Sequence, residues 1–233
     1  MELKKLSIPK SKLDLMPMEE RIFFIHYSSF VDEISILRKL IQFSTKSTED
    51  IIERQGRNAQ ALFLMRILIS KMYEGYQMLT KQYFNKLSKK YDLLISENGK
   101  ENLEKLKKYF SKDTPLKFIR NKTAFHYSRE FSKEIKNYME TEKFDSDETF
   151  ELFVSNSFIN CLFLSSEVII DKTMTRSLGK RIGSSDIEAI REHLWKEIRH
   201  VVEWFLEFSG AYIFAVLEMY FKTEYENAQD VKV

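Results

Sequence analysis

The chain has 233 residues, 43% hydrophobic and 31% charged, ordinary values for a soluble globular protein long enough to bury a sizeable core. Its formal net charge of +2 excludes the global basic field of a nucleic-acid packager, so any nucleic-acid contact has to be local. The single Cys161 excludes an internal disulfide and a cysteine-only metal cluster, and it fits a reducing compartment.

Only 6 glycines and 3 prolines occur, which favours a few long helices over a many-stranded sandwich. Residues 1–17, with Pro9 and Pro17, read as an irregular lead-in lacking the apolar core of a signal peptide. A helix is predicted from Met18, with Phe23, Phe30, Ile34, Leu37 and Ile41 on one face, and the Ser/Thr cluster at 44–48 ends or interrupts it. A second helix, 59–87, carries the stripe Met65, Met72, Tyr76, Leu79 and Tyr83, with Ile69 beside it. The lysines of 86–90 read as a solvated helix end. A short helix is expected over 101–110. Asp113-Thr114-Pro115 then supplies a capping side chain followed by proline in the first turn, so a new helix starts there. Another helix covers 129–140, and an acidic loop comes next at 145–148.

The next helix, 148–172, is expected to bury Phe150, Val154, Phe158, Cys161, Ser165 and Val168, with Cys161 as inert core filler. Residues 173–185 hold Gly179, Gly183, Arg176, Lys180 and Arg181 and read as a flexible basic loop. A plain linker is the first reading and a phosphate-contacting loop the second, since the glycine spacing is not that of a phosphate-binding loop and no strand precedes it. The last helix starts at the Ser185/Asp186 cap. Its stripe runs through Ile187, Ile190, Leu194, Ile198, Val201, Phe205, Phe208, Tyr212, Ala215 and Met219, with a bend expected at Ser209-Gly210. Trp195, Val202, Leu206 and Ile213 form a second apolar face, which suggests burial between helices or in a dimer interface. Glu203, Glu207 and Glu218 interrupt this stretch, so it is not read as a bilayer span. The expectation is a single all-α bundle of long amphipathic helices over 1–233, without a membrane segment, in the cytoplasm.

Few residue constellations carry chemistry. Glu197 and His200 share a helical face with His193, but a di-iron bundle needs two such Glu-x-x-His pairs plus two more carboxylates, and no other histidine has a glutamate three residues before it. No metal and no cofactor is expected. The segment Phe118-Ile-Arg-Asn-Lys-Thr-Ala-Phe-His-Tyr127 is different. It sets Arg120, Asn121 and His126 in an apolar frame, a set able to hold a phosphodiester, stabilise its charge and move a proton. Arg21 and His26 repeat the spacing, but isoleucine follows Arg21 and the pair lies inside a periodic apolar helix. Six residues along a straight helix rotate a side chain by about 240° at 3.6 residues per turn. Arg120 and His126 therefore share one site only if the segment bends near Asn121 or if the two residues meet partners across an interface.

The run from Ile119 to Tyr127 resembles the Arg-polar-x(4)-His motif of the HEPN superfamily (higher eukaryotes and prokaryotes nucleotide-binding). The resemblance implies an all-helical core over 59–172, and the long C-terminal helix, 186–222, suggests an abortive-infection-like subgroup. Many members are metal-independent endoribonucleases of toxin–antitoxin and other defence systems, with two motifs paired in a homodimer. By this resemblance the partners are RNA, a second copy of the chain and a cognate antitoxin protein. Arg120 and His126 would be catalytic, with Asn121 orienting the phosphate or the imidazole. Lys122 and Arg129 would hold flanking phosphates, and Glu74 would orient the site. Ser128 stands where the nucleotide-acceptor branch of the family has tyrosine, which separates this chain from that branch. The alternative expectation is a non-catalytic helical module that binds a protein partner or a nucleotide.

Overall fold

The computed structural model describes residues 3–124, 129–141 and 164–231. In chain order these form β1 (Leu3–Lys5), α1 (Lys10–Leu13), α2 (Met18–Ser44) and α3 (Ile51–Met78). A π-helical stretch, Leu79–Leu87, leads from α3 into α4 (Ser88–Tyr91), and α5 (Glu97–Phe110) and α6 (Pro115–Ile119) come next. A π-turn, Arg120–Ala124, then precedes α7 (Arg129–Thr141), α8 (Leu164–Ile182), α9 (Ile187–Tyr220), α10 (Lys222–Glu226) and β2 (Gln229–Val231). The fold is all-α, with one short ribbon in which β1 and β2 pair antiparallel and Lys4 lies opposite Asp230. That ribbon and the turn of helix α1 correct the reading of 1–17 as wholly irregular.

The chain divides into two compact units. The first comprises residues 1–33, 74–112 and 201–233, and the second 34–73 and 113–200. Helices α2, α3 and α9 each contribute residues to both.

The first unit is built on aromatic residues. Phe23 stacks on Tyr27 at 5.1 Å between ring centroids, and Tyr212 meets Phe23 edge-on at 5.2 Å. Tyr83 meets Phe208 edge-on at 5.2 Å. These are the offset and T-shaped arrangements that ring quadrupoles favour. Burial pushes the phenols of Tyr27, Tyr83 and Tyr212 well above the usual tyrosine value. Tyr83 donates to Asp92 at 2.7 Å, and the Tyr27 hydroxyl accepts from Ser209 at 3.1 Å.

Glu20 lies in the same unit and is only 8% exposed. Lys90 Nζ donates to both its oxygens at 2.8 Å, Tyr91 donates at 2.8 Å and Tyr220 at 2.7 Å. Burial by itself would raise the Glu20 pKa, but the hydrogen bonds from Lys90, Tyr220 and Tyr91 outweigh it and hold the carboxyl below its ordinary value.

In the second unit α7 and α6 each pack against α8. Arg66, 6% exposed, forks onto Glu167 with hydrogen bonds of 3.0 to 3.2 Å. Arg191 donates to the buried Asp171 at 2.6 Å.

Several helix bounds differ from expectation for local reasons. α3 begins at Ile51 rather than 59 because the Asp50 carboxylate caps it, accepting from the Glu53 N–H at 2.9 Å. α5 begins at Glu97 rather than 101, with Ser96 accepting from the Gly99 N–H. The reading of 173–185 as a flexible loop is wrong, since α8 continues to Ile182 with Met174 and Leu178 buried. Gly183, at φ +74°, ends it. The Ser184 N–H bonds to the Gly179 carbonyl at 3.0 Å, the six-to-one closure of a Schellman motif. A Cβ on Gly179 would stand 2.5 Å from the Ser184 carbonyl oxygen, so the two glycines shape a tight helix end rather than a linker.

Val168, Ile187 and Met219, expected in apolar stripes, are exposed. Phe150, Val154, Phe158 and Cys161 lie outside the described residues. The Asp186 cap of α9 is present, its carboxylate accepting from the Glu188 and Ala189 N–H groups. The helix runs unbroken through Ser209-Gly210. By length and composition α9 could cross a membrane. In the first unit, however, its Phe205, Phe208 and Tyr212 are fully buried among protein side chains.

Two glycines in helices should respond in opposite directions. A Cβ at Gly75 would stand 2.2 Å from the Phe30 ring, whereas at Gly210 nothing lies within 4 Å. Gly75→Ala should cost about 1–3 kcal/mol through overpacking, and Gly210→Ala should stabilise by about 0.5–1 kcal/mol. Chemical denaturation measures both, and a stabilised Gly75→Ala would contradict the packing described.

Glu20→Gln should cost about 1–3 kcal/mol at neutral pH, because buried donors lose their ionised acceptor. The sign with pH is set by the depressed folded value. Stability from Glu20 is present above the ordinary 4.5 and is lost as pH falls through the lower folded value. Denaturation midpoints of the Gln variant should therefore fall less steeply on acidification below that point than those of the parent chain. Parallel pH profiles would exclude this linkage.

Candidate functional site

The segment that carries Arg120 is launched by a complete cap. The Thr114 hydroxyl accepts from the Lys117 N–H at 3.2 Å, and Pro115 occupies the first helical turn. The Tyr73 phenol shares a 3.0 Å hydrogen bond with that hydroxyl. Burial pushes the Tyr73 pKa up to about 12, with the Thr114 hydrogen bond acting against it. The first part of the apolar frame is present, since Phe118 and Ile119 are buried and, with Leu116, anchor the short α6.

At Arg120 the backbone leaves α geometry for the π-turn Arg120–Ala124. Its i→i+5 hydrogen bonding is a wider turn than that of an α-helix. Straight α geometry therefore does not hold over Arg120–Ala124, and the irregularity falls near Asn121, where a bend is one of the two ways to bring Arg120 and His126 into one site. Arg120 is exposed, and its Nη1 donates to Asn121 Oδ1 at 2.9 Å. Asn121 is thus placed to orient the guanidinium. His126 lies outside the described residues, as do Phe125, Tyr127 and Ser128.

Lys122 is half-buried, 3.8 Å from the Glu130 carboxylate in the first turn of α7. Arg129 is exposed at the first residue of α7. Glu74 is exposed on α3 and belongs to the first unit, whereas Arg120, Asn121, Lys122 and Arg129 belong to the second. His193 Nε2 and Glu197 Oε2 stand 4.0 Å apart on α9. No group of three or more His, Cys, Asp or Glu able to hold a metal ion occurs among the described residues.

Packing of α6, α7 and α8 adds a feature with only a faint signal in the sequence. A cavity of about 380 Å³ in the second unit is lined by Lys122, Arg176, Lys180 and Arg181, with Glu134 as the only acidic side chain among the described residues of its lining. Arg181 donates to Asp113 at 2.9 Å and lies over the Phe118 ring at 4.7 Å. Arg176 and Lys180 are one helical turn apart on α8. That i, i+4 spacing is legible in the sequence once the segment is read as helix rather than loop.

Comparison with protein-family models, with curated proteins and with solved structures finds no match to this chain.

Thr114→Ala should destabilise by about 0.5–2 kcal/mol, the usual cost of losing a helix N-cap, while Thr114→Ser should retain most of the stability. Thermal or denaturant unfolding of the two variants checks this. Equal losses in both would show that the hydroxyl does not cap α6.

Proposed function

We propose that the chain is a metal-independent endoribonuclease of the HEPN type. Its Arg120 segment would cleave RNA through attack of the 2′-hydroxyl on the adjacent phosphodiester. His126 takes the 2′-hydroxyl proton as general base as the bond from O2′ to phosphorus forms. The bond to the 5′-oxygen breaks, and that leaving oxygen is protonated by a general acid, leaving a 2′,3′-cyclic phosphate and a free 5′-hydroxyl. An imidazole suits such transfers because its ordinary pKa lies near neutrality. Arg120 meets the charge on the pentacoordinate phosphorane with paired hydrogen bonds, oriented by Asn121. Lys122 and Arg129 hold neighbouring phosphates.

The observation that carries this reading is the π-turn over Arg120–Ala124, with an exposed Arg120 tied to Asn121. A polar pair at a local break of helix geometry is a common mark of a functional segment. Pairing of two such segments in a homodimer is part of the proposal. In the second unit α2 exposes Ile36, Leu40 and Phe43 at helical spacing, an apolar stripe of the kind that association covers. The absence of a membrane, a cytoplasmic location and a cognate antitoxin belong to the same reading.

The test is cleavage of mixed RNA in EDTA. His126→Ala should lower the rate by roughly 10²–10⁴, and Arg120→Ala by about 10²–10³, with circular dichroism unchanged. Tyr127→Phe should leave the rate nearly intact. So should Arg21→Ala, since Arg21 is held by Asp14 and the Met16 carbonyl. Activity that vanishes in EDTA, or that survives in both site variants, would overturn the assignment. Light scattering that finds only monomer at micromolar concentration would remove the paired site.

A further inference from the structure

We infer that the cavity lined by Lys122 and the α8 cations is a backbone-phosphate subsite for single-stranded RNA, and this inference rests on the reading of the Arg120 segment as an RNA-cleaving site. Among the described residues four cationic side chains face one carboxylate there, in a chain whose overall charge is nearly balanced. The one carboxylate, Glu134, is already engaged by the Ser177 hydroxyl at 2.6 Å.

Two described anions stand at the rim, Asp113 and Glu130. Asp113 pairs with an Arg181 that is 43% exposed, and Glu130 stands 3.8 Å from Lys122. The exposed Arg181–Asp113 pair contributes about 0–1 kcal/mol, so a phosphate can replace it. Lys180 makes no ion pair or hydrogen bond among the described residues and is exposed beside Arg176. Thr173 also lines the cavity. It is 2% exposed, and its hydroxyl has no hydrogen-bond partner among the described residues. A buried hydroxyl without a partner is costly unless something supplies one.

The helix dipole gives a reason for Lys180 and Arg181 in the last turn of α8. It gives none for Lys122, which comes from the π-turn, or for Arg176, a turn earlier, which donates to Thr141 Oγ1 at 3.0 Å. Lys122 also fixes where the cavity lies, two residues along the chain from Arg120. At about 380 Å³ the cavity lies in the range of small-ligand sites and exceeds what a lone phosphate fills. A phosphate with its attached sugar suits it better.

The test separates binding from cleavage by using a short single-stranded RNA with 2′-deoxy sugars throughout its cleavable positions. Fluorescence anisotropy measures its affinity between 50 and 200 mM salt for the parent chain, for Arg176→Gln with Lys180→Gln, and for Lys89→Gln as a control. Lys89 is exposed in the first unit and carries the same charge. The double variant should bind roughly tenfold more weakly near 0.1 M salt, and its salt slope should fall by about 0.7 per lost phosphate contact. Lys89→Gln should change neither.

Equal effects in the double variant and the control, no effect in either, or no RNA binding by the parent chain would each overturn the subsite. Weakened binding in the double variant in a chain that does not cleave RNA in EDTA would sustain the subsite and remove the catalytic reading. Cleavage with unchanged binding by the double variant would do the reverse. Circular dichroism confirms that both exposed substitutions leave the helices intact.

Discussion

A single ionised carboxylate, buried among hydroxyls and one ammonium, organises the first unit. Glu20 in the first turn of α2 accepts from Lys90 and Tyr91 in α4, and from Tyr220 at the end of α9. Burial of an unpaired charge is prohibitive, so those three partners have to arrive together. The aromatic cluster around Phe23, Tyr83, Phe208 and Tyr212 supplies the apolar area beside it. Each buried phenol brings an oxygen that needs a partner, and Asp92 and Ser209 supply partners for Tyr83 and Tyr27.

The second unit is held differently. Its described buried residues are mostly aliphatic, and its polar ties include the arginine–carboxylate pairs of Arg66 with Glu167 and Arg191 with Asp171. Paired arginines keep a rigid fork geometry. The short α6 is fixed at its start by Thr114 and Tyr73 and along its length by buried Leu116 and Ile119. The π-turn at its end is less restrained in one respect, since Arg120 and Asn121 are exposed. A well-anchored helix that opens into a wider turn holds a cationic side chain towards solvent from a fixed base. That arrangement suits recognition of an anion more than it suits packing.

The same logic applies to α8. Its inward side buries Met174 and Leu178, while Arg176, Lys180 and Arg181 are exposed. The cations are therefore positioned by an element that packing keeps in place, although the composition of 173–183 suggests a loop. Threonines and a glycine lower helix propensity there. The Ser177–Glu134 hydrogen bond and the Asp171–Arg191 pair supply contacts from distant parts of the chain that propensity cannot count.

The sequence by itself determined the all-helical class, the start of α2 at Met18, the cap at Thr114-Pro115, the extent of α7 and the cap of α9 at Asp186. These rest on local signals: apolar spacing near 3.6 and a capping side chain followed by a proline or an apolar stripe. It also singled out Arg120 and Asn121 and offered a bend beside them as one of two ways to complete the site. Only the tertiary structure decided the rest. The ribbon of Leu3–Lys5 with Gln229–Val231 joins the two ends of the chain, which no local pattern announces. Val168, Ile187 and Met219 are exposed because a stripe is buried only where another element covers it. The cavity beside Lys122 exists because α6, the π-turn, α7 and α8 are packed together, so its cations come from residues more than fifty positions apart. Periodicity fixes which side of a helix can be buried, but the partner that buries it, and the charges brought beside it, come from contacts distant in the chain.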